Sequence, residues 1–197
     1  MTAERFDADY YRRFYRDPRT RVTERVTVRR LAAFVCNYVK HLDIEVETVL
    51  DIGCGIGLWR AEIRRHFPAA EYVGVEVSAH ACEEHGWERG SVVDWQPDES
   101  GDLVICQGVL QYLPTKDARR AIDNLACMTG GALYLEALTR EDWEGNVTRE
   151  TTDGNVHLRG ADWYRKALRK HFIACGGGLF VPRGDPPVLY ELEKLES

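Results

Sequence analysis

From residue 48 onward, short apolar runs alternate along the chain with amphipathic stretches of helical periodicity. Short apolar runs bounded by turn residues predict buried strands, and apolar positions that recur at intervals of three and four residues predict helices. The predicted strands span residues 48–52, 72–76, 91–94, 102–106, 132–137, 173–181 and 188–195. The predicted helices lie near residues 58–67, 78–85, 114–129 and 162–172, with Ser78 and Asp162 as N-caps.

This alternation predicts an α/β domain. Apolar strands that alternate with helices form a mostly parallel sheet with helices on both faces. The last two apolar runs, separated by Pro182 and the Pro186–Pro187 pair, predict a C-terminal antiparallel hairpin. Ahead of the sheet, apolar residues at helical spacing over residues 28–42 predict a further helix. We expect an N-terminal arm or lid over residues 1–23, a domain over residues 24–197, and a substrate cap at about residues 138–160.

Composition and charge exclude several classes of protein. The 197 residues are 44% apolar and 29% charged, which is typical of a globular domain. Residues 1–30 hold nine arginines and five acids, whereas the remainder holds 17 basic and 27 acidic residues, which disfavours a nucleic-acid partner. No run approaches the roughly 18 apolar residues of a membrane span. We expect a cytoplasmic protein with six reduced cysteines and no membrane association.

A glycine-rich segment follows the first predicted strand. Asp51 ends that strand, and Gly53, Gly55 and Gly57 follow before the next helix. Three interpretations are open: a structural turn, a dinucleotide site, and a site for a nucleotide without a pyrophosphate. The dinucleotide fingerprint GxGxxG requires glycine at the position that Leu58 occupies here, so the sequence departs from it.

Acidic residues at the next strand ends favour the third interpretation. Glu76 ends the second predicted strand and can accept hydrogen bonds from both hydroxyls of a ribose. Asp94 ends the third and can accept from an exocyclic amine, while Trp95 beside it can stack on a ring. Ligands of open α/β sheets bind outside the carboxyl ends of the strands, where these residues converge.

The ordered set of motifs resembles the class I S-adenosylmethionine-dependent methyltransferases. VLDIGCGIG is similar to their glycine-rich first motif, GVEVS to the acidic second and GSVVDW to the third. DLVICQGVLQYL and GGALYLEAL are similar to the segments at the fourth and fifth strands. The resemblance covers about residues 25–195. It implies a Rossmann-like, seven-stranded sheet and S-adenosylmethionine as cofactor, with S-adenosylhomocysteine as product.

The resemblance also implies a cofactor site. Asp51, Gly53, Gly55 and Gln107 would hold the methionine end, with Cys54 contributing its backbone alone. Glu76 would hold the ribose, and Val77, Asp94 and Trp95 would surround the adenine. Tyr10, Tyr11 and Arg21 resemble the arm that closes over the cofactor in many relatives.

The acceptor site is less defined by the sequence. His157, in the cap-like segment, is the candidate general base, which methyl transfer requires only if the accepting atom carries a proton. The candidate substrate residues are Gln111, Tyr112, Trp143, Arg159, Trp163 and Tyr164. His80, Cys82 and His85 face different sides of one helix, so we expect no metal site.

The predicted function is methyl transfer to an O, N or C atom of a small metabolite. A protein or RNA methyltransferase, a catalytically silent cofactor-binding module that acts as a partner subunit, and a nicotinamide oxidoreductase are the alternatives. Both a monomer and a homodimer are compatible with the sequence.

Overall fold

Seven strands form one sheet in the order β3-β2-β1-β4-β5-β7-β6 in the computed structural model, which describes residues 3–195. The first five strands are parallel, and β7 pairs antiparallel with both β5 and β6. The strands are β1 Thr48–Ile52, β2 Glu71–Glu76, β3 Glu88–Arg89, β4 Gly101–Gln107, β5 Thr129–Glu136, β6 Phe172–Gly176 and β7 Leu179–Pro182. The α/β class, the parallel sheet and the C-terminal antiparallel hairpin are as the sequence predicts.

Helices cover both faces of this sheet. They are α1 Ala8–Tyr11, α2 Arg25–His41, α3 Arg60–His66, α4 Ala79–His85, α5 Thr115–Met128, α6 Arg140–Gly145 and α7 Ala161–Leu168. The apolar faces of α2 and α3 are buried on one side of β1, β4 and β5, and those of α5 and α7 on the other. The two clusters bury apolar surface on each side of the central strands, which stabilises the three-layer arrangement. Within residues 3–195, no helix has the length and apolar character needed to cross a membrane.

The N-terminal arm is ordered against the domain. A 3₁₀ turn over Ala3–Arg5, helix α1 and a π-helical turn over Arg12–Arg16 form its backbone. The Asp7 side chain caps α1 by accepting a 2.9 Å hydrogen bond from the Tyr10 backbone N–H. Tyr11 and Phe14 are buried, so the arm contributes apolar surface that packs on the domain.

Two local predictions are wrong. The third strand is the two-residue β3 at Glu88–Arg89, and residues 92–94 form a turn in which the Asp94 N–H donates to the Ser91 carbonyl at 3.1 Å. Asp162 does not cap α7: the N-cap is Gly160, and Asp162 pairs with Arg165 at 2.7 Å. Short strands and cap positions are set by tertiary pairing, which propensity does not record.

The C-terminal hairpin is present, but its position along the chain differs from the prediction. Both of its strands lie within residues 172–182, and the turn at Gly176, Gly177 and Gly178 joins them with positive φ angles. The run over residues 188–195, which is predicted to be the last strand, forms no strand, and Leu192 is 99% exposed. The three glycines supply the left-handed backbone of a tight turn. The later run lies beside the edge strand β6, where the Leu195 N–H donates to the Ala174 carbonyl at 2.9 Å.

Candidate active site

The glycine-rich loop lies between β1 and α3. Gly53 has φ +75° and Gly55 has φ +54°, a region that residues with a side chain rarely adopt. A Cβ atom on Gly53 would lie 2.3 Å from Cγ2 of Val109, which follows β4. The Gly53 N–H donates to the Val75 carbonyl at 2.7 Å, so the loop is fixed to the end of β2. Position 53 therefore has no room for a side chain beside Val109.

Glu76 is buried at the end of β2 and accepts three hydrogen bonds from backbone N–H groups. Oε1 accepts from Val77 at 2.7 Å and Ser78 at 3.0 Å, and Oε2 accepts from Gly55 at 2.9 Å. Burial raises the pKa of this carboxyl group, and the three N–H donors oppose that rise. The two oxygens have acceptor capacity left for hydroxyl donors.

A cavity of about 130 Å³ opens beside the loop and Glu76. Its floor comes from the carboxyl ends of the central strands and the segments that follow them. The lining residues of this smaller cavity are Phe6, Tyr10, Tyr11, Tyr15, Gly53, Gly55, Glu76, Val77, Gly90, Ser91, Val92, Gly108, Val109, Tyr112 and Leu113. Polar groups thus concentrate at Glu76, and the remaining wall is mainly apolar and aromatic.

Aromatic rings of the N-terminal arm cover this smaller cavity. Tyr11 and Tyr15 lie over the loop: a Cβ atom on Gly55 would be 3.7 Å from each. The Tyr10 and Tyr112 hydroxyls are hydrogen-bonded at 2.9 Å. Burial raises the pKa of Tyr10, Tyr11 and Tyr15, so these phenols are neutral at physiological pH. The arm therefore lines the cavity with neutral aromatic rings.

The arm also contacts residues 138–160, the predicted cap, which is called the cap segment below. Arg5 forms an ion pair with Asp153 and donates to the Asn155 carbonyl at 2.7 Å. Its guanidinium lies 5.1 Å from the centre of the Tyr112 ring. These contacts join the two chain segments that lie above the sheet edge.

A larger cavity of about 590 Å³ adjoins the smaller one. The two cavities share Tyr10, Tyr15, Gly108 and Tyr112. The larger one extends between the arm, the start of α2, and the cap segment from Ala137 to Asp153. A ligand in one cavity would therefore meet a ligand in the other at this set of four residues.

The ends of β4 and β5 form the floor of the larger cavity. Gln107 accepts a 2.8 Å hydrogen bond from Nε1 of Trp59 and donates one of 3.2 Å to Oε2 of Glu136. Oε2 of Glu136 also accepts from the Tyr134 hydroxyl at 2.9 Å. Gln107 is therefore held in one orientation, and the Glu136 carboxylate is positioned by two donors at the cavity surface.

Asp51 lies deeper than the other acidic residues. It is buried at the end of β1 and accepts a hydrogen bond from the Tyr72 hydroxyl on β2. Burial raises the pKa of Asp51 from 3.8 to about 7, the Tyr72 hydrogen bond lowers it, and the nearby Glu76 charge adds to the rise. Cys54 is buried beside it, and burial raises the pKa of its thiol, which agrees with a backbone role for this position.

Several predicted cofactor residues lie outside the smaller cavity. Asp94 is exposed in the turn after β3, and Trp95 packs on Gly90 and donates to Glu88 at 3.3 Å. Ser91 and Val92 take their place in the cavity wall. The shift follows from the wrong boundary of the third strand, because the predicted strand ends at residue 94 and β3 ends five residues earlier, at Arg89.

Arg21 and His157 also lie away from both cavities. Arg21 pairs with Glu24 at 3.0 Å in front of α2. His157 is exposed, and its backbone N–H donates to the Gln111 carbonyl at 2.8 Å. The structure therefore does not place His157 at the surface of either cavity, where a base would have to lie.

The side chain of Arg159 contacts other parts of the protein and lines neither cavity. It is buried, and its guanidinium donates to the carbonyls of Leu110 and Leu113 and to the Tyr164 hydroxyl. Trp163 lies against the same guanidinium, with 5.0 Å between its ring centre and the central carbon. Trp143 packs within the cap, where a Cβ atom on Gly154 would be 2.7 Å from its ring. Of the predicted substrate residues, Gln111 and Tyr112 line the larger cavity.

The sequence analysis does not identify many of the residues that line the cavities, and five of these bear on the chemistry of the site. Phe6 and Tyr15 belong to the arm, Ser91 and Val92 follow β3, and Glu136 ends β5. The aromatic density of residues 6–15 is a signal that could have identified the first two. Glu136 lies near the end of the fifth predicted strand. The rule that ligands bind at the carboxyl ends of parallel strands, which identified Glu76, therefore applies to Glu136 as well.

Comparison with known proteins agrees with this geometry. Residues 50–130 match the family model of a methyltransferase domain. A sugar N-methyltransferase, KedS8 from Streptoalloteichus sp., superposes with a TM-score of 0.61 at 18% identity, over 77% of this chain and 85% of that one. The plantazolicin methyltransferase BpumL in complex with SAH superposes with a TM-score of 0.62 at 14% identity, over 85% of this chain and 68% of that one. The fold is therefore that of the class I methyltransferases.

Curated relatives are trans-aconitate 2-methyltransferases. The protein of Pseudomonas paraeruginosa is 27% identical over 170 residues, which cover 81% of this chain and 54% of the relative. That of Azoarcus sp. is 32% identical over 147 residues, which cover 64% and 57%. The chain thus spans about half the length of the curated relatives that it matches. The chain is therefore similar in sequence to methyltransferases, and it shares their fold.

Proposed function

We propose that the protein transfers the methyl group of S-adenosylmethionine to a small-molecule acceptor. The observation that carries this proposal is the pair of cavities that meet at Tyr10, Tyr15, Gly108 and Tyr112. The smaller cavity would hold the cofactor and the larger one the acceptor. Such an arrangement brings two ligands together in one orientation, which is the main requirement of a displacement reaction.

The residues of the smaller cavity fit an adenosine-containing ligand. The Glu76 carboxylate has acceptor capacity for the two ribose hydroxyls. Val77, Ser91 and Val92 form the wall where the adenine would lie, and Gly53 and Gly55 leave room for the chain that carries the sulfur. Glycine at position 53 keeps the loop beside Val109 at the cavity wall, because a Cβ atom there would contact Val109.

When bound, S-adenosylmethionine supplies an electrophilic methyl carbon next to a positively charged sulfur. The protein's task is to orient the acceptor and exclude water. Tyr10 and Tyr15 lie where the cavities meet and would confine the acceptor, while Phe6 and Tyr11 close the cofactor side. We assign no base role to His157, because it is exposed and outside the cavity walls.

Isothermal titration with S-adenosylhomocysteine tests the first part of the proposal. We expect saturable binding of one ligand per chain, displaced by S-adenosylmethionine. The second part is tested by release of S-adenosylhomocysteine in a panel of small metabolites. Binding without release from any metabolite would favour the silent binding module, and absence of binding would contradict the proposal altogether.

A further inference from the structure

The walls of the larger cavity carry negative charge. Among its lining residues within the described part of the chain, three are acidic and none is lysine, arginine or histidine. The acids are Glu136, Asp142 and Asp153. The charge of the cavity therefore opposes the entry of an anionic acceptor, and it attracts a cation.

The three acids differ in how far their charge is compensated. Asp153 is paired with Arg5, so its charge is neutralised locally. Asp142 belongs to the capping box of α6, where its carboxylate accepts from Thr139 and Asn146, and the Thr139 hydrogen bond lowers its pKa. Each of these two carboxylates is therefore already used to hold the fold together.

Glu136 is the acid whose charge is left for a ligand. Its Oε2 accepts from Tyr134 and Gln107, which are neutral donors. No hydrogen bond to Oε1 and no ion pair to this side chain is present among residues 3–195. Glu136 is exposed at the cavity surface, on the floor that is shared with Gln107.

Another wall of the larger cavity is apolar. Val22, Val28, Leu31 and Leu58 line it, together with the ring of Phe14. A ligand that matches both walls has an apolar body and a positively charged or hydrogen-bond-donating group. A tricarboxylate such as trans-aconitate matches neither wall, although the curated relatives are named for that substrate.

We infer that the acceptor is an amine on an apolar body, bound with its nitrogen at Glu136; this rests on the proposed function of the site. Glu136 binds the ammonium form and receives a proton from it, which leaves a lone pair on nitrogen. A bond then forms between that nitrogen and the methyl carbon while the bond between the carbon and sulfur breaks. The products are the N-methylated ammonium ion and S-adenosylhomocysteine, and Glu136 returns its proton to solvent.

Three probes of matched skeleton test this inference: 2-phenylethylamine, 2-phenylethanol and phenylacetate. Their binding to the protein saturated with S-adenosylhomocysteine is measured by ligand-observed NMR. We expect 2-phenylethylamine to bind at least tenfold more tightly than phenylacetate. Equal or tighter binding of phenylacetate, or no measurable binding of the amine, would overturn the inference.

Two variants locate the interaction. Glu136→Gln should weaken binding of 2-phenylethylamine about tenfold and leave that of 2-phenylethanol unchanged. Glu144→Gln removes an exposed charge of α6 outside the cavity and should change neither. Unchanged amine binding by Glu136→Gln would contradict the assignment of this residue.

Titration of each sample with S-adenosylhomocysteine distinguishes a failure of the amine inference from a failure of the proposed function. Binding by Glu136→Gln shows that the variant is folded. Failure of the wild-type protein to bind S-adenosylhomocysteine would contradict the proposed function itself. Binding of S-adenosylhomocysteine together with a preference for phenylacetate would contradict the amine inference alone.

Discussion

The backbone N–H of Gly55 donates a 2.9 Å hydrogen bond to Oε2 of Glu76. This bond joins the glycine-rich loop after β1 to the acidic end of β2. The two sequence motifs are 21 residues apart, yet they form one structural unit at the edge of the smaller cavity. The position of Glu76 is thus fixed by the loop itself, as well as by Val77 and Ser78.

Replacement of Glu76 by glutamine should weaken cofactor binding. An amide keeps the size of the side chain but has one acceptor oxygen, and it leaves buried donors without a partner. We expect affinity for S-adenosylhomocysteine to fall by about 10- to 100-fold, or about 1.4–3 kcal/mol, in isothermal titration. Glu71→Gln, at the exposed start of the same strand, is the control and should bind as the wild type does. An unchanged affinity of Glu76→Gln would remove this residue from the site.

The wall of the adenine region should depend on Ser91 and not on Asp94. Ser91 lines the smaller cavity, so Ser91→Phe fills it and should weaken S-adenosylhomocysteine binding at least tenfold. Asp94 is exposed outside it, so Asp94→Asn should change the affinity less than twofold. Fluorescence titration of both variants checks this pair. The reverse order of effects would restore Asp94 as the adenine contact.

Loss of the ion pair between Arg5 and Asp153 should loosen the arm. Asp153→Asn removes the charge that holds Arg5 on the cap, and the side chains of both residues are largely shielded from solvent. We expect dissociation of S-adenosylhomocysteine to become about threefold to tenfold faster, and amide hydrogen exchange over residues 8–16 to accelerate. Glu150→Gln, an exposed change in the same segment, should leave both rates unchanged. Equal rates in the two variants would show that the ion pair does not restrain the arm.

Asp51 should make the stability of the fold depend on pH. Its pKa is about 7 in the folded chain against an ordinary value of 3.8, so folding favours the protonated form. The resulting destabilisation is absent below pH 3.8, grows as the pH rises towards 7, and is constant above it. Between pH 5 and pH 8 the free energy of unfolding should fall by about 3 kcal/mol relative to that of Asp51→Asn. Urea unfolding at the two pH values measures this difference, and a difference that does not change with pH would contradict the raised pKa.

The sequence predicts the parts of the site that local pattern determines. Gly53 and Gly55 follow β1 and Glu76 is the last residue of β2, and both strands are recognisable from their apolar runs. Their convergence then follows from the rule that ligands bind at the carboxyl ends of parallel strands. These residues lie in the structure where the sequence analysis expects them.

The rest of the site depends on contacts that sequence pattern does not contain. Strand β3 has two residues, so its position is set by pairing with β2, and the predicted boundary put Asp94 where Ser91 lines the smaller cavity. The place of Tyr15 depends on how the arm folds back over the domain. The guanidinium group of Arg159 is chemically suited to bind a substrate, but it is buried against the carbonyls of Leu110 and Leu113 and therefore has a structural role.

A crystal structure of the protein with S-adenosylhomocysteine tests the central claim most directly. The account predicts adenosine density in the smaller cavity, with both ribose hydroxyls within hydrogen-bond distance of Glu76 and the sulfur directed towards Tyr15 and Gly108. Density for the ligand at another place on the molecule, or a ribose that does not contact Glu76, would contradict it.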